Sequence, residues 1–303
     1  MTTTGVPAAA EMAPAASGSP AARRVPAPLL VLGGVVSVQL GAAIAKQLFP
    51  KIGPEGTVML RLVAGALLLW LVVRPTRRVL AGLDLRLTLA FGAVLATMNL
   101  SFYLAIARIP LGVAVALEFL GPLGVALAGA RRVRELGAAA LAAVAVLLLT
   151  GGAGLTGAGR LDVAGIGFAL AAGVLWAGYI LLSRRVGAAT PGLAGLAGAA
   201  TVAGVLLLPV GIATAGARLA DPVPLALGAA VGLLSAAVPY GLELVALRSL
   251  PAATFAVLMS LEPAVGALAG FAVLRERLTL AEIAGVLLVC VASVAATRSR
   301  STT

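Results

Sequence analysis

The sequence predicts an all-α membrane protein, with ten transmembrane helices arranged as two inverted five-helix repeats. Three observations carry this reading. Of 303 residues, 61% are hydrophobic and 11% charged, with a mean hydropathy of +1.11; a soluble domain has roughly 45–50% apolar and about 25% charged residues. The apolar residues gather into blocks near the ~20 residues needed to cross a ~30 Å hydrocarbon layer. A stretch of the first half also recurs in the second.

Apolar runs between Gly, Pro and charge punctuation place spans at 27–47, 55–73, 87–107, 110–130, 135–152, 162–183, 191–214, 224–247, 251–274 and 280–297. Their Ala and Gly content suits helix packing in lipid, where small side chains let backbones approach. Residues 1–26 are rich in Ala, Pro, Ser and Thr without an apolar run. They read as a disordered cytoplasmic tail rather than a signal peptide, which needs a central apolar stretch. The repeats then occupy 27–158 and 159–297, and 298–303 form a short C-terminal tail.

The net charge of +11 comes from short basic runs between apolar blocks, which is a topology signal and not a nucleic-acid footprint. Fourteen of the 22 Lys and Arg, including Arg23, Arg24, Arg77, Arg78, Arg131, Arg132, Arg184 and Arg185, fall on the side of the N-terminus. Seven fall opposite: Lys46, Lys51, Arg108, Arg160, Arg218, Arg275 and Arg277. The positive-inside rule therefore places both termini in the cytoplasm of a multi-pass plasma or inner-membrane protein. The Arg275-Glu276-Arg277 loop runs against the bias, Glu276 offsetting one of its arginines.

The chain has one cysteine, Cys290, and no histidine. An intrachain disulfide, Ser-His-Asp and Cys-His catalysis and His-ligated metals are thereby excluded. No catalytic residue, metal or cofactor is predicted, and proton chemistry falls to carboxylates, Tyr or Lys.

Pro110 to Gly129 reads PLGVAVALEFLGPLGVALAG and Pro251 to Gly270 reads PAATFAVLMSLEPAVGALAG. At an offset of 141 both prolines, the closing ALAG and two leucines coincide. Five spans per half is odd, so the second copy is inverted, the architecture of secondary transporters with midplane sites. Pro122 and Pro263 fall near the middle of spans four and nine. Each removes a backbone donor and frees the carbonyl four residues earlier, at Glu118 and Met259. The alternative is a kink that only shapes packing.

Glu118 and Glu262 are mid-span, and Glu243 lies nearer the cytoplasmic end of span eight. An intramembrane carboxylate faces the bundle interior or a wet cavity. Burial disfavours the charged form of a carboxylate, which is how one becomes a proton carrier near neutrality. The competing reading is a structural ion pair with Arg61 of span two. Helical spacing turns other polar residues into stripes: Asn99 with Tyr103, Trp176 with Tyr179, Tyr240 with Glu243, and Gln39 with Lys46. A cavity lined by both halves follows. For the aromatics the alternative is lipid or packing contact, and for Lys46 it is snorkelling to the outer interface.

The stretches VQLGAAIAKQLFPKIGPEGTVMLRL (38–62), NLSFYLAIARIPLGVAVALEFLGPLGVAL (99–127), WAGYIL (176–181) and VPYGLELVALRSLPAATFAVLMSLEPAVGALAG (238–270) resemble the EamA family of the drug/metabolite transporter superfamily. The resemblance implies ten helices, an inverted repeat, a central site, and proton-driven efflux of small amino acids of the threonine and homoserine type. It marks Gln39, Lys46, Arg61, Asn99, Tyr103, Trp176 and Tyr179, with Tyr240 beside them, as substrate-binding candidates. Glu118, Glu262 and Glu243 are the proton-coupling candidates. The expected mechanism is alternating access. Arg61 or Lys46 meets the substrate carboxylate, and Glu118 or Glu262 exchanges its ammonium group for a proton. The partners expected are that substrate, protons and the lipid bilayer; monomer and homodimer both remain open. Rival readings are an exporter of drugs or other metabolites on the same fold, a membrane-embedded enzyme and a structural scaffold.

Overall fold

The computed structural model describes residues 25–76, 79, 81–128, 133–155, 161–190, 193–247 and 249–300. All of the expected N-terminal tail except Val25 and Pro26, and the last three residues of the C-terminal one, lie outside the described residues. The regular elements among the described residues are helices: α1 (Ala27–Val73), α2 (Leu85–Ile106), α3 (Leu111–Glu118), α4 (Leu120–Leu127), α5 (Val133–Leu155), α6 (Val163–Ala189), α7 (Ala194–Ala215), α8 (Pro222–Gly232), α9 (Val238–Leu247), α10 (Ala252–Met259), α11 (Glu262–Leu274) and α12 (Leu280–Arg300). A 3-10 turn over Gly216–Ala220 leads from α7 towards α8, and a π-helical stretch over Leu233–Ala237 joins α8 to α9.

Local chemistry sets the starts. Asp84, Asp162 and Asp221 each accept a hydrogen bond from a backbone N–H of the first turn of α2, α6 and α8. These contacts satisfy donors that a helix start leaves orphaned. Before α12, the Glu282 carboxylate accepts from Thr279 N–H (2.6 Å) while Thr279 Oγ1 accepts from Glu282 N–H (3.2 Å), a reciprocal capping box.

Helix α1 is 47 residues long, with non-helical geometry at Gly53 (φ 72°, ψ 164°) between Pro50 and Pro54. That φ favours glycine, which has no Cβ to clash. Before Gly53, α1 meets α8–α9 in descending order, Gly34 against Pro239 and Gly41 against Ser235; after it the order ascends, Leu60 against Gly228 and Gly65 against Ala236. The chain therefore reverses at Gly53, and the two arms of α1 are antiparallel.

Seven of the described helical stretches are long and apolar enough to cross a membrane. They are Ala27–Val73, Leu85–Ile106, Val163–Ala189, Ala194–Ala220, Pro222–Leu247, Thr254–Leu274 and Leu280–Thr297. This count differs from the ten expected at two places. The first two expected spans run through the single stretch α1. Spans four and five come out as the shorter apolar helices Leu111–Leu127 and Glu135–Thr150, flanking the charged run at Arg131, Arg132 and Arg134.

The two proline-bearing stretches match in detail. Pro110 (φ −58°, ψ 143°) precedes α3 and Pro251 (φ −58°, ψ 140°) precedes α10. Nine residues after the prolines stand the C-caps of the two helices, Phe119 (φ −65°, ψ −14°) after α3 and Ser260 (φ −62°, ψ −9°) after α10. Pro122 and Pro263 lie in the first turn of the helices that follow, α4 and α11, where a missing N–H is tolerated. The interruptions expected from the prolines thus fall just before them.

The main packing pairs join the two halves of the chain: α1 with α7, α2 with α6, α3 with α11 and α5 with α12. The α3–α11 crossing is close, and it carries the helices that bear Glu118 and Glu262. A Cβ on Gly112 would lie 2.5 Å from the Cα of Ala267. Gly112→Leu is expected to force the helices apart at a cost of about 1–3 kcal/mol or more, read as a lower melting temperature in detergent. Gly124→Leu, where an added Cβ meets nothing within 4 Å, is the control and melts like the parent.

Candidate functional site

Three groups of polar residues occupy the interface between the halves. In the first, Arg61 of α1 donates to the side-chain oxygen of Asn99 on α2, and its guanidinium sits 5.8 Å from the centre of the Tyr103 ring. Asn99 in turn donates to the Leu95 carbonyl at 2.8 Å. Asn99 and Tyr103, expected to share a face of α2, both meet Arg61. A cavity of about 40 Å³ beside Arg61, Asn99 and Ser235 holds little more than one water, each taking ~30 Å³.

The second group holds the carboxylates. Glu118 ends α3 at 9% exposure and Glu262 begins α11 at 6%. Half-buried Glu243 lies beside Gly34 of α1, where an added Cβ would stand 3.6 Å from its carboxylate. Glu262 lies within electrostatic reach of both Glu118 and Glu243, and Glu118 within reach of Arg61. Neither Glu118 nor Glu262 forms an ion pair among the described residues, so the Arg61 pairing weighed from the sequence is replaced by Arg61–Asn99. Gln39 of α1 faces Gly266, one turn beyond Glu262, and its Oε1 is buried without a hydrogen-bond partner.

Between these groups and one end of the bundle lies a cavity of about 230 Å³. Its walls include Phe119, Pro122, Trp176, Phe255, Met259, Ser260 and Ser293, so it opens at both helix joints, beside the carboxylates in sequence. Trp176 stands edge-on to Phe119, the ring centroids 5.5 Å apart. Two larger clefts, about 1120 and 720 Å³, are walled chiefly by alkyl side chains of α5, α11 and α12. Several, such as Leu287, Val291 and Phe271, are exposed, as lipid-facing side chains are.

The third group ties the opposite end. Lys46 Nζ donates to Glu276 Oε1 at 2.6 Å and to the Ile109 carbonyl at 3.0 Å. The other oxygen of Glu276 accepts from Leu111 N–H at 2.8 Å, supplying α3 with the side-chain cap that Pro110 lacks. Arg108 lies 3.7 Å from Asp162, and Arg218 donates to the Lys51 carbonyl.

Sequence comparison gives this arrangement its context. The family profile described as the EamA-like transporter family matches residues 163–298. A protein named threonine/homoserine exporter RhtA, from Salmonella typhimurium strain LT2, is 42% identical over 271 residues, 89% of this chain and 90% of that one. Its namesake from Escherichia coli strain K12 is 42% identical over 253 residues, covering 83% and 84%. This chain belongs to the EamA-like transporter family. A solved crystal structure only 17% identical shares the fold, with a TM-score of 0.62 over 90% of this chain and 98% of its own.

As an EamA-like transporter the chain is a membrane protein and not an enzyme. Not every residue expected at the site is there. Lys46 is engaged at the end of the bundle, away from the carboxylates. Tyr179 stacks on Phe91, centroids 5.0 Å apart, so the Trp176–Tyr179 stripe splits between cavity wall and helix packing. The Tyr240 side chain lies outside the described residues. Two polar residues that the structure places in these groups or on the cavity wall, Glu276 and Ser293, were not singled out from the sequence. Glu276 counted only as a charge offset, although Arg134-Glu135 and Arg275-Glu276 stand at the same offset of 141. Ser293 is a polar residue within the last apolar span, but small hydroxyls usually fold back on their own helix.

Proposed function

We propose that this EamA-like transporter exports threonine, homoserine and similar small amino acids across the inner membrane in exchange for protons, by alternating access. The observation that carries the reading is the 42% identity to the threonine/homoserine exporters over most of both chains. The geometry supports it: two buried carboxylates without an ion pair among the described residues, each within two residues in sequence of a wall residue, Phe119 or Ser260, of a cavity of about 230 Å³, room for about eight waters at ~30 Å³ each and hence for a small amino acid.

In this reading the chain has ten helices, the two arms of α1 counting separately and α3–α4 and α10–α11 each forming one bent span. Residues 27–158 and 159–297 are the inverted repeats, and both tails are cytoplasmic. The matching caps at Pro110 and Pro251 and the matching joints at Phe119 and Ser260 support the duplication. With the termini inside, the Lys46–Glu276 and Arg108–Asp162 ties are outer contacts, and the cavity over Phe119, Trp176, Phe255 and Ser293 faces the cytoplasm. The conformation is then inward-open.

The zwitterion enters from the cytoplasm. Its ammonium group is attracted to Glu118 or Glu262, and its carboxylate to the positive charge of Arg61. A carboxylate that takes a proton from outside no longer holds the ammonium, which couples release to proton entry. Gln39, with a buried acceptor free, lies on the path between Glu262 and the outer end. Expression in a threonine-sensitive bacterial strain is expected to raise resistance to threonine and homoserine and to release both amino acids into the medium. Resistance to dyes or unrelated metabolites without threonine release would replace this substrate assignment.

A further inference from the structure

We infer that Ser293 selects for a hydroxyl group on the side chain of the transported amino acid. The inference deepens the export reading above and rests on it. Most hydroxyl groups within the described helices are already engaged. Thr97, Thr150, Ser183, Thr201, Thr214, Ser260 and Thr297 each donate to a carbonyl three or four residues earlier in their own helix. Ser293 does not. Its residue is 5% exposed, and its Oγ is a buried atom with no hydrogen-bond partner.

The position gives that orphan a purpose. Ser293 lines the cavity of about 230 Å³ at the two helix joints. The other walls are apolar there: Phe119, Leu123, Trp176, Phe255 and Met259. The remaining hydroxyls of the lining, Ser260 and Thr297, already donate to Ala256 and Ser293 carbonyls. Ser293 Oγ therefore supplies, on the α12 wall of the cavity, a hydroxyl without a partner among the described residues. The carboxylates draw the charged end of the substrate, which leaves its side chain for the α12 wall.

A hydroxyl group is one donor and two acceptors, and a buried one is costly to leave unpaired. A substrate hydroxyl completes Ser293; a methyl group in its place does not. Threonine and valine differ by that replacement at nearly equal size. An apolar pocket separates such isosteres poorly, whereas a site that hydrogen-bonds a substrate hydroxyl rejects the analogue lacking it.

The test is counterflow in proteoliposomes containing the purified full-length protein, which needs no proton gradient. Uptake of labelled threonine is competed with unlabelled threonine or valine. The parent is expected to prefer threonine on the order of tenfold. Ser293→Ala is expected to bring the two within about twofold, by weakening threonine rather than by losing exchange. Ser260→Ala, which alters a hydroxyl already bonded within the same cavity, is expected to keep the parent ratio. An unchanged ratio in Ser293→Ala, as when the partner of Ser293 is an ordered water, overturns the inference and leaves the exporter reading intact. An equal loss of selectivity in Ser260→Ala also overturns it, as a general loosening of the cavity. A parent protein that exchanges no threonine overturns the exporter reading and this inference together.

Discussion

Glu262→Gln and Glu118→Gln are each expected to reduce threonine export driven by a pH gradient by at least about tenfold while leaving threonine counterflow measurable. Both carboxylates are almost fully buried, at 6% and 9% exposure, and neither is paired to a cation. In a bilayer core such a group is costly when ionised unless hydrated or partnered, and in the proposed cycle it alternates between a proton and the substrate ammonium. Glutamine keeps the shape and removes the proton site. Counterflow moves substrate in both directions without net proton movement and separates coupling from binding. Substrate accumulation driven by a pH gradient at the parent rate in both variants would assign coupling to other groups, Glu243 first. The two glutamates are not interchangeable in surroundings: Glu118 ends α3 within the field of Arg61, whereas Glu262 begins α11, one turn from Gly266 and the buried Gln39 amide. The single variants are therefore expected to differ in severity.

The second large effect belongs to Lys46. Its ammonium holds Glu276, and Glu276 holds the first N–H of α3, so one ion pair ties three segments at one end of the bundle. The partners are 22% and 15% exposed. Removing one partner of a buried pair costs about 3–5 kcal/mol; partial exposure reduces that to about 1–3 kcal/mol. A bias of that size shifts a conformational equilibrium by roughly 5- to 150-fold. In alternating access the tie has to part when the outer side opens. Lys46→Met is thus expected to favour the outward-open state and slow export at least about tenfold. The exchange Lys46→Glu with Glu276→Lys restores part of it. The direct measure is a cysteine placed at Ile109 in a Cys290→Ala background. Its labelling by a membrane-impermeant thiol reagent from outside is expected to rise in Lys46→Met. Equal labelling and equal transport would show the tie to be ornamental to the cycle.

Much of the architecture was legible in the chain itself. A run such as 280–297, with Glu282 its sole charged residue, has few structures open to it but a helix across lipid, because an apolar medium offers the backbone no other hydrogen-bond partners. The offset of 141 between Pro110 and Pro251 was equally plain, since prolines constrain the backbone whatever surrounds them. Glu118 and Glu262 were found by cost alone: a carboxylate in such a run needs a reason to be there.

Only the tertiary structure decided which polar residues meet. Lys46 was grouped with Gln39 by helical spacing, and both do face the second half. Spacing along one helix carries no information about height in the bundle, so the pairing of Lys46 with Glu276, 230 positions later, was invisible. Trp176 and Tyr179 share a helical face, yet one turn of helix is enough to put them against different neighbours, Phe119 and Phe91. Ser293 shows the limit most clearly. Its composition is unremarkable among helical hydroxyls, and its isolation exists only because α12 packs where α4, α6 and α10 leave a cavity. Hydropathy and backbone constraint are local or additive properties, and the sequence by itself determined the all-helical membrane class, the family and the burial of the carboxylates. Partnership is a property of distances between segments, and the packed bundle alone assigned Glu276 to Lys46, Asn99 to Arg61 and no partner to Ser293.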